Sequence, residues 1–217
     1  MKILRDLLPL PTISYGITVN NEAEEITRLL EVLLPLVSKK DEVIVLQDTT
    51  HKDENVSKIL DGYGNKIIRV EAKLNGDFAA FKNNLIKTAS KDYLFQIDAD
   101  EVPKPSLIRK IKFFLFKKKK YDVFMVPRIN IVNGITEDHI KKWNWSLNKD
   151  GYINFPDAQD RIFKLNQGIK WENKVHEKLC NYQQKIALPI SDFSMCLLHI
   201  KEIQRQEQQN SFYDTIQ

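Results

Sequence analysis

Apolar and polar residues follow two different spacings along the first half of the chain. Runs of apolar and β-branched residues typical of buried strands cover residues 12–19, 42–47, 66–70, 92–97 and 121–126. Between these runs, apolar residues recur every three or four positions, as they do over residues 26–37, and this spacing predicts amphipathic helices. Strands and helices that alternate over short connections predict an α/β fold, with a mostly parallel sheet covered by helices on both faces.

The alternation weakens after about residue 127. The later strands are shorter, as at residues 161–165, and all three tryptophans (Trp143, Trp145 and Trp171) fall in this half. We therefore predict one domain over residues 1–217, with a regular half at about 10–126. A less regular half follows at about 127–217 and ends in a polar C-terminal helix.

The composition limits the class of protein. With 217 residues, 42% of them hydrophobic, the chain can bury a sizeable core, and no apolar run reaches the roughly 18–20 residues that cross a bilayer. Arg5 and Asp6 interrupt the leucines near the N-terminus, so no signal peptide is expected there. Two cysteines without a CxxC spacing indicate reduced thiols. We expect a cytoplasmic protein without a transmembrane segment, and peripheral membrane contact stays open.

Polar side chains gather where the predicted strands end. In an open parallel sheet, ligands bind beyond the carboxyl ends of the strands, so these side chains are expected to share one edge. They are Asn20 and Glu22 after the first strand, Asp48 after the second, and Asp98, Asp100 and Glu101 after the fourth. The sequence therefore predicts a ligand site at this edge.

Asp98, Asp100 and Glu101 place three carboxylates within four residues. Because side chains alternate along an extended segment, Asp98 and Asp100 share a side and suit a hard cation, Mn²⁺ or Mg²⁺. The alternative is a turn and helix-cap cluster before the next helix. Without a cation, we expect repulsion to raise the pKa of at least one carboxyl group. Glu101 is expected to turn toward the fold.

Two stretches carry a resemblance to a known family. GDFAAFKNNLIKTASKDYLFQIDADE (residues 76–101) and FPDAQDRIFKLNQGIKWENKVHEKL (residues 155–179) resemble blocks of the family 2 glycosyltransferases with the GT-A fold, the second as in bacterial lipopolysaccharide-core-type members. The resemblance covers about residues 10–200. It implies metal-dependent transfer of a sugar from a UDP-linked nucleotide-sugar donor to an acceptor hydroxyl, with inversion, in polysaccharide or lipopolysaccharide biosynthesis. The implied acceptor is a carbohydrate, a lipid-linked molecule or a protein.

The resemblance also implies roles for individual residues. The implied donor-binding residues are Asn20, Glu22, Asp48, Lys82 and Asp98. The implied metal ligands are Asp100, Asp98 and His176, and His199 is the rival of His176. The candidates for the base that takes the acceptor proton are Glu177, then Asp157, with Asp160 behind them. Lys82 stands where the family usually has arginine, so it would meet a diphosphate without a two-pronged contact.

Other interpretations compete with these. Asp48 alone is also typical of a turn residue, and the aromatic residues of 141–155 fit either a sugar platform or ordinary packing. A nucleotidyltransferase would need a glycine-rich phosphate loop near the first strand, where the chain offers only Gly16. A nucleic-acid-binding protein is disfavoured, because the acidic strand ends would repel a phosphate backbone and the cations are dispersed apart from residues 117–120.

Overall fold

The computed structural model describes residues 9–208. Up to residue 126 the elements are β1 (Ile13–Val19), α1 (Ala23–Leu33), β2 (Glu42–Asp48), α2 (Glu54–Tyr63), β3 (Ile68–Ala72), α3 (Phe78–Thr88), β4 (Tyr93–Asp98), β5 (Glu101–Pro103), α4 (Pro105–Lys117) and β6 (Val123–Val126). The predicted alternation of strands and helices is confirmed, with element boundaries within a few residues of those expected.

The second half is built from shorter pieces, as predicted. Its elements are β7 (Arg128–Asn133), α5 (Glu137–Lys142), β8 (Gln159–Lys164), β9 (Lys170–Glu172), β10 (Lys178–Cys180), β11 (Lys185–Ala187) and β12 (Leu197–Glu202). Residues 203–208 are helical, which agrees with the predicted C-terminal helix. The rest of the segment that the sequence predicts as a helix lies outside the described residues.

A seven-stranded sheet runs in the order β11-β6-β8-β4-β1-β2-β3. β1 pairs in parallel with β2 and β4, and β8 alone runs antiparallel to its neighbours, β4 and β6. The sheet is therefore mostly parallel, and the carboxyl ends of β1, β2 and β4 meet at one edge.

A smaller sheet of order β5-β12-β7 lies next to that edge. β12 pairs antiparallel with β5 and parallel with β7, and its His199 is in register with Glu101 on one side and Asn130 on the other. This pairing brings residues from the end of the chain to the segment that follows β4.

Helices and a hairpin cover the two faces of the large sheet. Because side chains alternate along a strand, Val43 and Val45 pack on the face covered by α1, α2 and α4, whereas Ile44 and Leu46 pack on the other. That other face is covered by α3 and the β9–β10 hairpin. The prediction of helices on both faces is confirmed.

Gly16, in the central strand β1, allows α3 to approach the sheet closely. A Cβ atom at this position would lie 2.9 Å from Leu94 Cδ1 and 3.2 Å from Leu85 Cδ1. Since Leu85 belongs to α3, the missing side chain sets the distance between this helix and the sheet. Lys82 is on the same helix, so its position also depends on this contact.

Cys180 and Cys196 are both free thiols, as expected from their spacing. Within residues 9–208, every helix is too short or too polar to cross a membrane.

Candidate active site

A cavity of about 690 Å³ opens at the carboxyl ends of β1, β2 and β4. Nine of the predicted site residues contribute to its lining: Asn20, Glu22, Asp48, Lys82, Asp98, Asp100, Asp157, His176 and Glu177. Asp160, the third candidate base, does not. His199, the rival of His176, lines the same cavity. The fold thus brings the predicted residues together, while their individual roles stay predictions.

Asp98 is held by two donors of the protein. Its Oδ1 accepts a hydrogen bond from Thr18 Oγ1 at 2.8 Å, and its Oδ2 accepts one from Arg161 Nη2 at 2.7 Å. Arg161 comes from β8 and is itself buried, with 5% of its surface exposed. Asp98 therefore faces an arginine of the second half of the chain, in addition to lining the cavity.

Glu101 turns into the fold, which confirms the prediction. It is fully buried, and its Oε1 accepts hydrogen bonds from Arg161 Nη2 and from Arg128 Nη1, the latter at 3.1 Å. Its Oε2 also accepts the backbone N–H of Asp98 at 3.1 Å. Two arginines from separate strands thus neutralise the buried end of the acidic segment.

Asp100 lies beside two residues of β12. Its Oδ2 is 3.1 Å from Lys201 Nζ and 3.3 Å from His199 Nε2. Asn130 orients the His199 ring, because its amide nitrogen donates to Asp157 Oδ2 at 2.6 Å and its Oδ1 therefore faces His199 Nδ1, 2.8 Å away. A neutral ring with its proton on Nδ1 leaves Nε2 as the nitrogen that can bind a metal ion, whereas the hydrogen bond to Asp100 requires a proton on Nε2.

Repulsion within the acidic segment was expected to raise the pKa of at least one carboxyl group, and this prediction is wrong for Asp98 and Asp100. Burial raises both pKa values, and Asp98 also raises that of Asp100, but nearby cations and hydrogen bonds lower both well below the usual range. Arg161 lowers the pKa of Asp98 the most, and His199 lowers that of Asp100 the most. The sequence pattern does not show these two pairings, because Arg161 lies 63 positions after Asp98 and His199 lies 99 positions after Asp100.

Lys82 and Glu177 form an ion pair with each other. Lys82 is 7% exposed, and its ammonium group also lies over the ring of Trp171, 5.1 Å from the ring centroid. The sequence assigns Lys82 to the donor diphosphate and Glu177 to proton transfer, and in this structure each neutralises the other.

Asp157, the second candidate base, is held by four hydrogen bonds. Arg128 donates from Nε at 2.9 Å and from Nη2 at 2.6 Å, while Asn130 and Gln159 donate at 2.6 and 2.7 Å. Burial raises the pKa of Asp157, but Arg128 and these hydrogen bonds lower it by a larger amount, so the net pKa is below the ordinary value. Asp157 is therefore a weak base. Asp160, the third candidate, lies 3.4 Å from Lys185 and is not the partner of Arg161.

Two other predicted residues organise the backbone at the strand ends. Asp48 Oδ1 accepts hydrogen bonds from Thr50 N at 2.8 Å and from Leu74 N at 3.0 Å, so Asp48 does act as a turn residue while it lines the cavity. Glu22 accepts the backbone N–H of Asn20 at 2.7 Å and binds Arg205 at 2.9 Å. Burial is the main cause of its raised pKa.

Three basic residues that neutralise the acidic segment were not predicted from the sequence. Arg128, Arg161 and Lys201 each pair with a carboxylate of the segment that follows β4. One signal was available for Lys201, because it stands two positions after His199 on β12 and so shares its side of the strand.

A divalent cation would have two protein ligands here. In the described part of the chain, no cluster of three or more His, Cys, Asp or Glu side chains is arranged to hold a metal ion. The Asp100 carboxylate and His199 Nε2 do converge, 3.3 Å apart. A site of this kind fits a cation that shares its remaining positions with substrate phosphates and water.

The chain matches the family described as glycosyl transferase family 2 over residues 14–201. It therefore belongs to that family, as the two quoted stretches had indicated. Among curated proteins, it is similar to the SPbeta prophage-derived glycosyltransferase SunS of Bacillus subtilis (strain 168) and to the glycosyltransferase SunS of Bacillus phage SPbeta. Each is 28% identical over 182 residues. The match covers 81% of this chain and 36% of either relative, so the chain spans about a third of their length.

Among solved structures, the fold resembles S. aureus TarS 1–349 in complex with UDP-GlcNAc. The TM-score is 0.61 and the identity 17%, over 88% of this chain and 58% of that one. Another S. aureus TarS structure gives a TM-score of 0.59 at 16% identity, over 87% of this chain and 36% of that one. At these identities the likeness concerns the fold, and it confirms the predicted GT-A architecture.

Proposed function

We propose that this protein transfers a sugar from a UDP-linked donor to an acceptor hydroxyl, with a divalent cation and with inversion at the anomeric carbon. One observation carries the proposal: Asp100 Oδ2 and His199 Nε2 converge within the large cavity at the strand ends. Membership of glycosyl transferase family 2 supports the reaction class. The UDP-GlcNAc held by TarS, a protein of similar fold, supports a UDP-linked donor. The acceptor belongs to a carbohydrate, a lipid-linked molecule or a protein, in polysaccharide or lipopolysaccharide biosynthesis.

The metal assignment follows from the hydrogen bonds around His199. Asn130 fixes the ring so that a lone pair at Nε2 and the Asp100 carboxylate point at the same place. These two groups are ligands that Mn²⁺ accepts, and an outer-shell partner such as Asn130 is typical of a histidine that binds a metal. We therefore assign Mn²⁺ or Mg²⁺ to Asp100 and His199, and the role of His176 stays a prediction.

The bound cation would stabilise the negative charge of the departing diphosphate. The protein's own residues would bind and orient the nucleotide-sugar donor. Asp48, Asn20 and Glu22 line the cavity at the ends of β1 and β2, where they would hold the base and ribose. Asp98, already fixed by Thr18 and Arg161, would be a rigid acceptor for donor hydroxyl groups, and Lys82 would bind the diphosphate.

Glu177 is the better candidate for the base. Asp157 is held by Arg128, Asn130 and Gln159, which lower its pKa and so weaken it as a proton acceptor. The ion pair of Glu177 with Lys82 would loosen if Lys82 moved to the donor diphosphate, and the carboxylate would then be available. Donor binding and activation of the base would in this way be coupled.

The test measures Mn²⁺ affinity by calorimetry in the presence of UDP, for wild type, His199→Ala and His176→Ala. We expect loss of a ligand to weaken Mn²⁺ binding by at least 10- to 100-fold in His199→Ala, the range known for changes around metal sites, with little change in His176→Ala. The reverse result would assign the metal to His176, and failure of wild type to bind Mn²⁺ would refute the metal site.

The products distinguish the reaction class. A glycosyltransferase releases UDP from a UDP-sugar, whereas a nucleotidyltransferase transfers the uridylyl group of the UDP-sugar to pyrophosphate and releases UTP and a sugar 1-phosphate. Chromatography of the nucleotide products separates the two, after incubation with Mn²⁺ and a panel of UDP-sugars, with and without pyrophosphate. Pyrophosphate-dependent formation of UTP without any UDP would contradict the proposed function.

A further inference from the structure

A second cavity, of about 490 Å³, adjoins the first. Four residues line both cavities: Lys82, Asp98, Arg128 and Glu177. The first cavity extends from these residues toward the ends of β1 and β2, and the second extends toward β6, β8 and the β9–β10 hairpin. A molecule in the second cavity would therefore reach Glu177 from the side opposite the nucleotide.

Basic and aromatic side chains give the second cavity its character. Lys178 on β10 and Lys185 on β11 are exposed members of the lining, and Trp171 and Tyr182 are its aromatic members. The Lys185 ammonium group is 3.4 Å from both carboxylate oxygens of Asp160 and lies 5.6 Å from the centre of the Tyr182 ring. An ion pair of this length is looser than the 2.7–2.9 Å typical of strong charged hydrogen bonds, so Lys185 is available to a stronger anion.

Two buried donors in the same lining lack acceptors. Arg161 Nε and Trp171 Nε1 are buried and have no hydrogen-bond partner within residues 9–208. Both residues line the second cavity and are at most 5% exposed. Buried N–H groups are rarely left unpaired in native proteins, but both atoms are inaccessible, so a molecule in the cavity would reach them only after a local rearrangement of the lining.

We propose that the second cavity binds the acceptor, and that the acceptor is a sugar or polyol carrying an anionic group, a phosphate or a carboxylate. The half-buried ring of Tyr182 suits the apolar face of a sugar, and Lys178 and Lys185 suit its anion. The inference rests on the proposed glycosyl transfer, and it adds the chemical class of the acceptor.

The position of Glu177 between the cavities fits this arrangement. An acceptor hydroxyl in the second cavity would give its proton to the Glu177 carboxylate while its oxygen forms a bond to the anomeric carbon of the donor. The bond between that carbon and the diphosphate oxygen breaks, and its electron pair leaves with UDP. An approach from the side opposite the diphosphate inverts the configuration.

The experiment uses protein saturated with UDP and Mn²⁺, so that phosphate probes do not compete for the nucleotide site. Binding of glucose 6-phosphate, glucuronate and glucose is followed by ligand-observed NMR titration, for wild type and for Lys178→Gln/Lys185→Gln. We expect wild type to prefer one or both anionic probes over glucose. The double variant should bind that anionic probe about tenfold more weakly, with its UDP affinity unchanged. Preference for glucose 6-phosphate or for glucuronate identifies the anion as phosphate or carboxylate.

Lys170→Gln is the matched control. Lys170 lies on the same hairpin and is exposed, but it pairs with Glu172 and does not line the cavity. Two results would overturn the acceptor assignment: equal binding of glucose and both anionic probes by wild type, or an equal loss of binding in the control and the double variant. Neither result would affect the proposed function, provided that wild type still binds UDP. Failure of wild type to bind UDP with Mn²⁺ would instead remove the proposed function, and the acceptor assignment with it.

Discussion

The two halves of the chain contribute opposite charges to the acidic segment after β4. The first half supplies Asp98, Asp100 and Glu101 at the end of a buried strand, and the second half supplies the cations that neutralise them. Arg161 is 63 positions beyond Asp98, and His199 is 99 positions beyond Asp100. The ion pair of Lys82 and Glu177 has the reverse polarity, with its cation on the first half.

This difference shows how the site depends on folding of the whole described chain. A regular βα half could place carboxylates at a sheet edge by itself, but three of them close together would repel one another. The second half, with its short strands, brings Arg161, Arg128 and Lys201 to the same edge. We infer that pairing across the two halves both stabilises the fold and sets the charge of the candidate active site.

The largest expected effect is on stability, from Arg161→Met. Arg161 is buried against Asp98 and Glu101, so its removal leaves two carboxylates short of their partner and should cost about 3–5 kcal/mol of unfolding free energy. Urea denaturation at neutral pH measures this. Lys110→Met is the control, because Lys110 is exposed and its contacts, to Ser194 Oγ at 2.9 Å and to exposed Asp192 at 3.7 Å, lie at the surface. Equal stability of both variants would show that the halves do not depend on this pairing.

The next effect is on activity, from Asp100→Asn. A neutral amide binds a divalent cation poorly, so we expect UDP release from a UDP-sugar to fall on the order of 100-fold or more, the scale of a single strong electrostatic group. Circular dichroism and the urea midpoint should show that the fold survives. Asp192→Asn, at an exposed carboxylate, serves as the control. Wild-type turnover by Asp100→Asn at limiting Mn²⁺ would contradict the metal assignment.

Asp48→Ala tests the first half alone. Asp48 orders the turn at Thr50 and Leu74 and lines the cavity where we propose that the nucleotide binds, so UDP binding should weaken by about 1–3 kcal/mol. Calorimetry with UDP gives the value. Asp53→Ala removes the N-cap of α2 instead, which should lower stability by about 1 kcal/mol without changing UDP affinity. If both variants bind UDP as wild type does, Asp48 is a turn residue only.

The smallest expected effect concerns Asp122, a residue at the end of the first half that binds two segments of the second half away from the cavity. It binds Lys164 at 3.0 Å and accepts the backbone N–H groups of Gln183 and Gln184 at 3.0 and 3.1 Å. Burial raises the pKa of Asp122, but these contacts lower it by a larger amount, so the net pKa is below the ordinary value. Asp122 therefore stabilises the fold above the ordinary carboxyl pKa of about 4, and this stabilisation is lost as the pH falls through the lower folded value.

Asp122→Asn should consequently lose about 1 kcal/mol at pH 7 and show a smaller loss of stability than wild type on acidification below pH about 4. Urea midpoints from neutral to acidic pH provide the measurement, and Asp150→Asn, in an exposed turn, is the control. Parallel pH profiles for wild type and Asp122→Asn would mean that this contact adds nothing to the second half.

The sequence by itself determined the features that depend on local pattern. The period-two and helical spacings gave the strands and helices up to residue 126, and the polar residues after β1, β2 and β4 gave the edge that carries the cavity. These predictions succeed because burial of apolar faces sets the spacing, and because parallel strands align their carboxyl ends.

Tertiary structure alone decided which charges meet. Nothing near Asp98 in the sequence points to Arg161, and the place of His199 beside Asp100 follows from the pairing of β12 with β5 and β7. The sequence predicted a raised pKa for at least one carboxyl group of the acidic segment, but the pKa values of Asp98 and Asp100 fall, because cations and hydrogen bonds brought in by folding outweigh both burial and repulsion between neighbouring acids. Long-range strand pairing has no local periodicity, so only the folded chain shows it.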